Sequence, residues 1–424
     1  MSILILKFLS SDRRNNPKIY KIEYRRIVQK SCAEYLHLFL RLCHQKEGTI
    51  NEVEIHLKEQ IGIDRSVLYD FSVIDVDVLK LAAVPTGKDT GRYANIVDDE
   101  SSPVMTASGR HIGKLLVKDP NFGKLTLSFE KNNLTNLHYV KCKLEMTVTS
   151  ELANLQNLNA ESYKLHVNSV FDMLEQDYGI KIDHSSVKVK QLEVNATFYL
   201  NEPYEKYQKP ILLLMQNAAS KYYHGKHLNW NEADAIAKTN TLETSLVKNS
   251  SMELTIYNKG KQLIDDELIA TEDLLADIMR VEYRIKDRRI LRHAFKSELV
   301  DKITDQNLRK LFQKYIERDL VAPYMEWAEQ NHNQLVYMVQ QHRAAEQKWT
   351  AGFFRECRQF EATHGFPMLF DLEDMRSVFK ELESGSGRNA GRKFRKFLNN
   401  ATYEKDLLGN TKRLQEIWTK ITAM

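Results

Sequence analysis

Three segments place acidic, amide, phenolic and cationic side chains at every second position. In VKQLEVNATFYL (Val189–Leu200), Glu193, Asn195 and Thr197 alternate with Leu192, Val194, Ala196 and Phe198. In SMELTIYNKG (Ser251–Gly260), Glu253, Thr255 and Tyr257 alternate with Met252, Leu254 and Ile256. In IMRVEYRIK (Ile278–Lys286), Arg280, Glu282 and Arg284 alternate with Met279, Val281, Tyr283 and Ile285. Side chains of a strand point alternately to its two sides, so each segment has one apolar and one chemically equipped face. If the three strands pair in one sheet, Glu193, Asn195, Glu282, Tyr257, Arg280 and Arg284 converge. The plain alternative is an antiparallel sheet whose charged side faces water.

Two carboxylates and an amide oxygen suit a hard divalent ion such as Mg²⁺ or Mn²⁺. Such an ion, with arginines, neutralises a phosphodiester while its bond breaks. A phenol beside the ion and Lys259 has the chemistry to attack phosphorus and remain joined to it. That reaction is a single-strand nick that conserves bond energy for rejoining.

The elements that must position these residues follow from periodicity. KLTLSFE (Lys124–Glu130) and KLEMTV (Lys143–Val148) alternate as further strands, and SVIDVDVLKLAAV from Ser72 reads as another. Residues 150–180 have a helical apolar spacing that ends at Gly179, and residues around Tyr204–Leu214 are helical. Residues 85–120 are rich in Gly, Ser and Pro and read as loops. Beyond residue 300 strand signals stop and long polar helices follow. The expected fold is α+β: a central antiparallel sheet with helices on one face, flanked by helical N- and C-terminal segments. Expected divisions are a helical N-terminal extension (1–71), an α+β domain (72–300) and a helical C-terminal domain (301–424). Within the first, Gly48–Phe71 outlines helix, Gly62 turn and a second helix capped by Asp64; this is either a helix-turn-helix or a packed hairpin.

In this setting the chain resembles the rolling-circle replication initiators of the filamentous-phage gene II and plasmid Rep type. The resemblance rests on KLTLSFEKNNLTNL (Lys124–Leu137), VKQLEVNATFYL, MELTIYNKGKQL (Met252–Leu263) and MRVEYRI (Met279–Ile285), in the family's order, over about residues 72–300. It implies an origin-specific nicking and joining enzyme whose tyrosine becomes linked to a 5′ phosphate with a divalent metal assisting. Tyr257 falls on the tyrosine of the family's "YDK" and Lys259 on its lysine. Glu193 and Glu282 fall on acidic positions, with Asn195 beside them as a metal ligand, and Arg280 falls on the arginine of "RxE" to hold phosphate. The chain departs from the pattern at Asn258, where the family has aspartate. That departure supports a rival reading, an origin-binding regulatory protein whose active site has decayed. A third reading is a nuclease that activates water. Tyr222 and Tyr223, near His224 and His227, are rival nucleophiles.

The chain has 424 residues, with 61 Lys+Arg against 57 Asp+Glu. A net charge of +4 excludes a uniformly basic DNA coat, so any DNA contact must be local. Two clusters answer to that: Arg280, Arg284, Arg288, Arg289 and their neighbours, and Arg388, Arg392, Lys393, Arg395 and Lys396, interleaved with Phe394 and Phe397. Expected partners are origin DNA, duplex and single-stranded, and a host helicase; no membrane partner is expected. The four cysteines match neither a zinc site nor a disulfide framework, which suits a cytoplasmic protein.

Overall fold

The computed structural model describes residues 59–77, 80, 93–98, 111–119, 122–133, 136–147, 157–223, 225–230, 242–265, 276–345, 349–364, 368–383, 387–400 and 409–424. The protein is α+β. Its strands are β1 (Gln60–Tyr69), β2 (Val73–Val76), β3 (Tyr93–Asp98), β4 (His111–Asp119), β5 (Gly123–Asn133), β6 (Asn136–Thr147), β7 (Ile180–Ile182), β8 (Lys188–Tyr199), β9 (Gly225–Trp230), β10 (Leu242–Lys248), β11 (Met252–Asn258) and β12 (Ile278–Ile285). Ten of them form one sheet in the order β3-β4-β5-β6-β1-β8-β12-β11-β10-β9, while β2 pairs with β7. All these pairings are antiparallel.

The helices are α1 (Ala160–Tyr178), α2 (Gln208–Tyr222), α3 (Lys259–Asp265), α4 (Arg288–Phe295), α5 (Asp305–Ile316), α6 (Ala322–Ala345), α7 (Trp349–His364), α8 (Leu372–Leu382), α9 (Gly387–Asn400) and α10 (Asn410–Ala423). A π-helical turn, Glu317–Val321, joins α5 to α6. Local chemistry sets several ends. Asn159 Oδ1 accepts from the Ser162 amide at the start of α1, and Gly179 ends it at φ +69°, a conformation that suits glycine. Asp371 and Asp374 form a reciprocal cap on α8.

The apolar faces read from the sequence are buried: Leu192, Val194, Ala196 and Phe198 of β8, Met252, Leu254 and Ile256 of β11, and Met279, Val281, Tyr283 and Ile285 of β12. Helices α1, α2, α4 and α5 cover this face; Tyr283, for example, meets Phe312 edge-on at 5.6 Å between ring centroids. Burial of a large apolar side chain contributes about 1.5–3 kcal/mol, so this face holds the strands in one register.

Three sequence expectations are corrected. The segment Asp64–Phe71 is not a capped helix: Gln60–Tyr69 is strand β1, between β6 and β8 in the sheet. Ile61, Ile63 and Leu68 are buried in the sheet's core, and that burial outweighs a short capping signal. The first half of the proposed helix-turn-helix, and the remainder of residues 1–58, lie outside the described residues. Residues 85–120, expected as loops, contain β3 and β4. Finally, a boundary at residue 300 divides helices that share a core. Leu308, Phe312 and Ile316 of α5 and Leu414, Ile417 and Ile421 of α10 belong to the sheet's core, whereas Phe353, Phe354, Phe379 and Phe397 form a second core among α6–α9.

Gly62 marks a close approach beside the site. A Cβ there would lie 2.5 Å from Asn157 Cβ and 2.7 Å from the Leu158 carbonyl oxygen. Asn157 and Leu158 are stitched over β1 by Ile63 N–H to Leu158 O (2.8 Å) and Gln60 Nε2 to Asn157 O (2.6 Å). Gly62→Ala is therefore expected to lower stability by about 1–3 kcal/mol, the range of an overpacked interior. Chemical denaturation compared with wild type measures it, and an unchanged midpoint would refute the clash.

Candidate active site

Registers align the three polar faces row by row. Across β12, Arg280 stands between Thr197 and Tyr257, Glu282 between Asn195 and Thr255, and Arg284 between Glu193 and Glu253. The sheet thus brings together all six side chains that the alternation pattern grouped. A seventh comes from β1. Gly62 faces Asn195 and Ile63 faces Val194, yet Arg65 faces Glu193, so Asp64 is an extra residue in a bulge. Bulges re-aim side chains beside sites. Asp64, Glu193 and Glu282 each offer a carboxylate oxygen, and these oxygens lie within 4.8 Å of one another.

These groups share a cleft of about 490 Å³ lined by Asp64, Glu193, Tyr257, Lys259, Glu282 and Arg284, among others. Helix α3 contributes part of its wall, through Lys259, Lys261, Gln262 and Asp265. Asn258 Oδ1 accepts the Lys261 amide at 2.9 Å, so this side chain caps the start of α3. An amide oxygen does that as well as a carboxylate. Lys259, the first residue of α3, is buried, and its Nζ donates to Gln262 Oε1 at 3.1 Å.

Arg280 is fully buried. Its Nη1 donates to Asp64 Oδ2 at 3.0 Å, its Nε to Thr197 Oγ1 at 2.7 Å, and it also hydrogen-bonds the Tyr257 phenol. The expectation that Arg280 holds phosphate is corrected: its guanidinium braces Asp64 and Tyr257 from inside the sheet. Arg284 donates to Glu193 and, at 3.0 Å, to Glu253, and it stays on the cleft wall. Arg288 and Arg289 do not line the cleft. Arg288 donates to Tyr69 Oη at 2.7 Å, and Arg289 pairs with Asp287 at 2.8 Å. The basic run around residue 284 is therefore largely matched by acids and phenols, several of them far away in sequence.

Electrostatics distinguish the carboxylates. Burial pushes the Glu193 carboxyl up, while Arg284 and Arg65 pull it back. Glu282 is 9 % exposed and has no hydrogen-bonding or ion-pairing partner among the described residues. Burial, followed by the charges of Glu193 and Asp64, pushes its pKa to about 7. A buried, unpartnered carboxylate aimed at two others is costly in the apo protein and fits a cation. The donor set, all oxygen, suits Mg²⁺ or Mn²⁺. Asn195 is less suited to ligation than expected: its Oδ1 already accepts from Thr197 Oγ1 at 3.1 Å, and Asp64 supplies the third oxygen instead. Burial also raises the Tyr257 phenol above the ordinary tyrosine value, an effect that Arg280 opposes.

The rival tyrosines lie on the other side of the sheet. Tyr223 Oη donates to buried Asp319 Oδ2 at 2.6 Å, in the neighbourhood of Tyr283, and Tyr222 faces the Arg318 guanidinium at 5.1 Å. His227 lies in strand β9, while His224 is outside the described residues. No protein-family model matches the chain, and no curated protein matches it. No helix among the described residues is long and apolar enough to cross a membrane.

Asp64 is the member of the carboxylate cluster that sequence reasoning does not single out. Its only available signal was Gly-x-Asp beside an apolar pair, Ile61 and Ile63, which reads equally well as a helix cap.

Proposed function

We propose that this chain is a DNA replication initiator that nicks and rejoins one strand of an origin through Tyr257. The observation that supports it best is a single cleft holding that phenol, Lys259 and a three-carboxylate cluster. Asp64, Glu193 and Glu282 would hold a divalent ion, which supplies charge neutralisation at the scissile phosphodiester. Arg280 orients the Tyr257 oxygen and favours its ionised form. The Tyr257 phenol gives its proton to water as its oxygen bonds to phosphorus, the P–O3′ bond breaks, and the departing 3′ oxygen takes a proton back from water, so the 3′ end leaves as a hydroxyl. Lys259, which lines the same cleft, would add positive charge there, and the reverse attack by the 3′ hydroxyl restores the strand. Asn258 serves as a helix cap, so its departure from aspartate removes no charge from the carboxylate cluster, which weighs against the decayed-site reading.

The test is incubation of purified protein with DNA flanking its own gene and Mn²⁺, followed by denaturing electrophoresis. A denaturant-stable protein–DNA adduct is expected, reduced by about 10³-fold or more in Tyr257→Phe. An undiminished adduct in that variant removes Tyr257 from the role. A second reading draws on Glu282, whose pKa of about 7 suits a general base that activates water. Metal-dependent cutting with no adduct would select it, and specific binding without cutting would select the regulatory reading.

A further inference from the structure

Helix α9 is divided by face more sharply than its sequence suggests. Ala390 and Phe397 are buried, and Phe394 is partly so. Phe397 stacks on Trp349 at 6.2 Å and meets Phe354 at 5.0 Å and Phe379 at 5.5 Å between centroids. Phe397 is therefore a core residue, and Phe394 packs against the same core. Lys393 pairs with Glu383 at 2.5 Å.

Arg388, Arg392, Arg395 and Lys396 remain on the outside, all exposed. At about 100° per residue they share one arc of the helix, and at 1.5 Å per residue they span about 12 Å. Arg395 Nε donates only to the Gly391 carbonyl of its own helix, at 3.3 Å; Arg388, Arg392 and Lys396 have no hydrogen-bonding or ion-pairing partner among the described residues. No acid occurs between Ser384 and Asn400. Beside this stripe, a Cβ on Gly391 would meet nothing within 4 Å. Glycine inside a helix is unfavourable relative to alanine, and no packing contact explains it here. It leaves no side chain beside these cations, and its carbonyl accepts from Arg395 Nε.

We propose that this face of α9 is a sequence-independent docking surface for the phosphate backbone of duplex nucleic acid. None of its residues lines the cleft, and the proposal stands independently of the nicking reading. Four unpaired cations along about 12 Å match the rise of roughly three to four nucleotides of one strand. A membrane surface is the poorer fit, because an interfacial helix must bury its apolar face in lipid and that face is already packed in the second core. With no aromatic ring exposed on the stripe, contact is to the backbone and carries no base readout.

The experiment compares wild type with the R388Q/R392Q/R395Q/K396Q variant by fluorescence anisotropy. The probes are two duplexes of unrelated sequence, titrated across ~50–200 mM salt, the range over which phosphate contacts are diagnostic. Wild type should bind both alike. In the variant, the slope of log affinity against log salt should become shallower by about 3.6 units, about 0.9 for each of the four cations, with at least a tenfold loss at low salt on both duplexes. The R388K/R392K/R395K variant should retain the slope, because a point charge suffices for a phosphate. Gly391→Leu, which fills the bare surface, should weaken binding several-fold without changing the slope. Unchanged circular dichroism of each variant, with melting unchanged for the substitutions at the exposed cations and no lower for Gly391→Leu, establishes that α9 is intact. Equal slopes for wild type and the glutamine variant would overturn the proposal. So would a loss confined to one duplex, or charge-dependent binding to phosphatidylserine vesicles or polyglutamate in place of duplex. Cleavage is not read, so the outcome is the same for a protein that never forms an adduct.

Discussion

Arg280→Met is expected to lower the unfolding free energy by about 3–5 kcal/mol, the cost of leaving a buried partner charge unpaired. The guanidinium is fully buried and holds Asp64 Oδ2 at 3.0 Å and Thr197 Oγ1 at 2.7 Å. Its removal strands Asp64 beside Glu193 and Glu282, the two carboxylates within 4.8 Å of it. The discriminating comparison is the double variant Arg280→Met/Asp64→Asn, which removes both charges together. Double-mutant logic then predicts recovery of more than half of the loss, read from denaturant midpoints at constant slope. If the double variant is no more stable than Arg280→Met, the buried pair is not what holds the site. Adduct formation should fall in Arg280→Met as well, since the same guanidinium orients the Tyr257 phenol.

Glu282→Gln should have opposite effects on the metal-free and the metal-loaded protein. The Glu282 carboxyl has a pKa of about 7 in the folded chain, against an ordinary value of 4.5. The folded state therefore binds this proton more tightly than the unfolded state. Its contribution is fully present below pH 4.5 and is lost as the pH rises through about 7. At pH 8 without metal, Glu282→Gln should gain on the order of 3 kcal/mol relative to its standing against wild type at low pH, from 1.36 kcal/mol per pKa unit. With Mn²⁺ the order reverses. Ion binding needs the carboxylate, so wild-type affinity should rise about tenfold per pH unit below 7 and level off above it. Glu282→Gln should lose at least tenfold in affinity and most of that pH dependence. Calorimetric titration of Mn²⁺ at pH 6 and pH 8 measures the ion affinities, and denaturant midpoints without metal measure the stability change. Equal Mn²⁺ affinity in the variant would remove Glu282 from the ion site.

Both expectations depend on neighbours that are remote in sequence, and this sets how much was legible beforehand. The faces of β8, β11 and β12 could be read directly, because strand side chains alternate with a fixed period and a buried apolar face leaves one register. Glu193, Tyr257, Glu282 and Arg284 were found in that way, and the Gly179 stop came from helical spacing. The roles of the cations were not legible. Lys286 pairs with Glu253 and Arg292 with Glu298, and only pairing geometry separates such neutralised charges from unpaired ones such as Arg388.

The sequence by itself determined an α+β chain whose three strands each carry one apolar face and one face bearing acid, phenol or guanidinium. Tertiary structure decided that β1 lies against β8 and that a one-residue bulge turns Asp64 toward Glu193 and Glu282. It also decided that Arg280 is enclosed and that Phe394 and Phe397 face a core. The physical reason is that alternation is a local property of each strand. Which strand is neighbour to which, and where one extra residue interrupts a ladder, follows from burial of side chains more than a hundred positions apart.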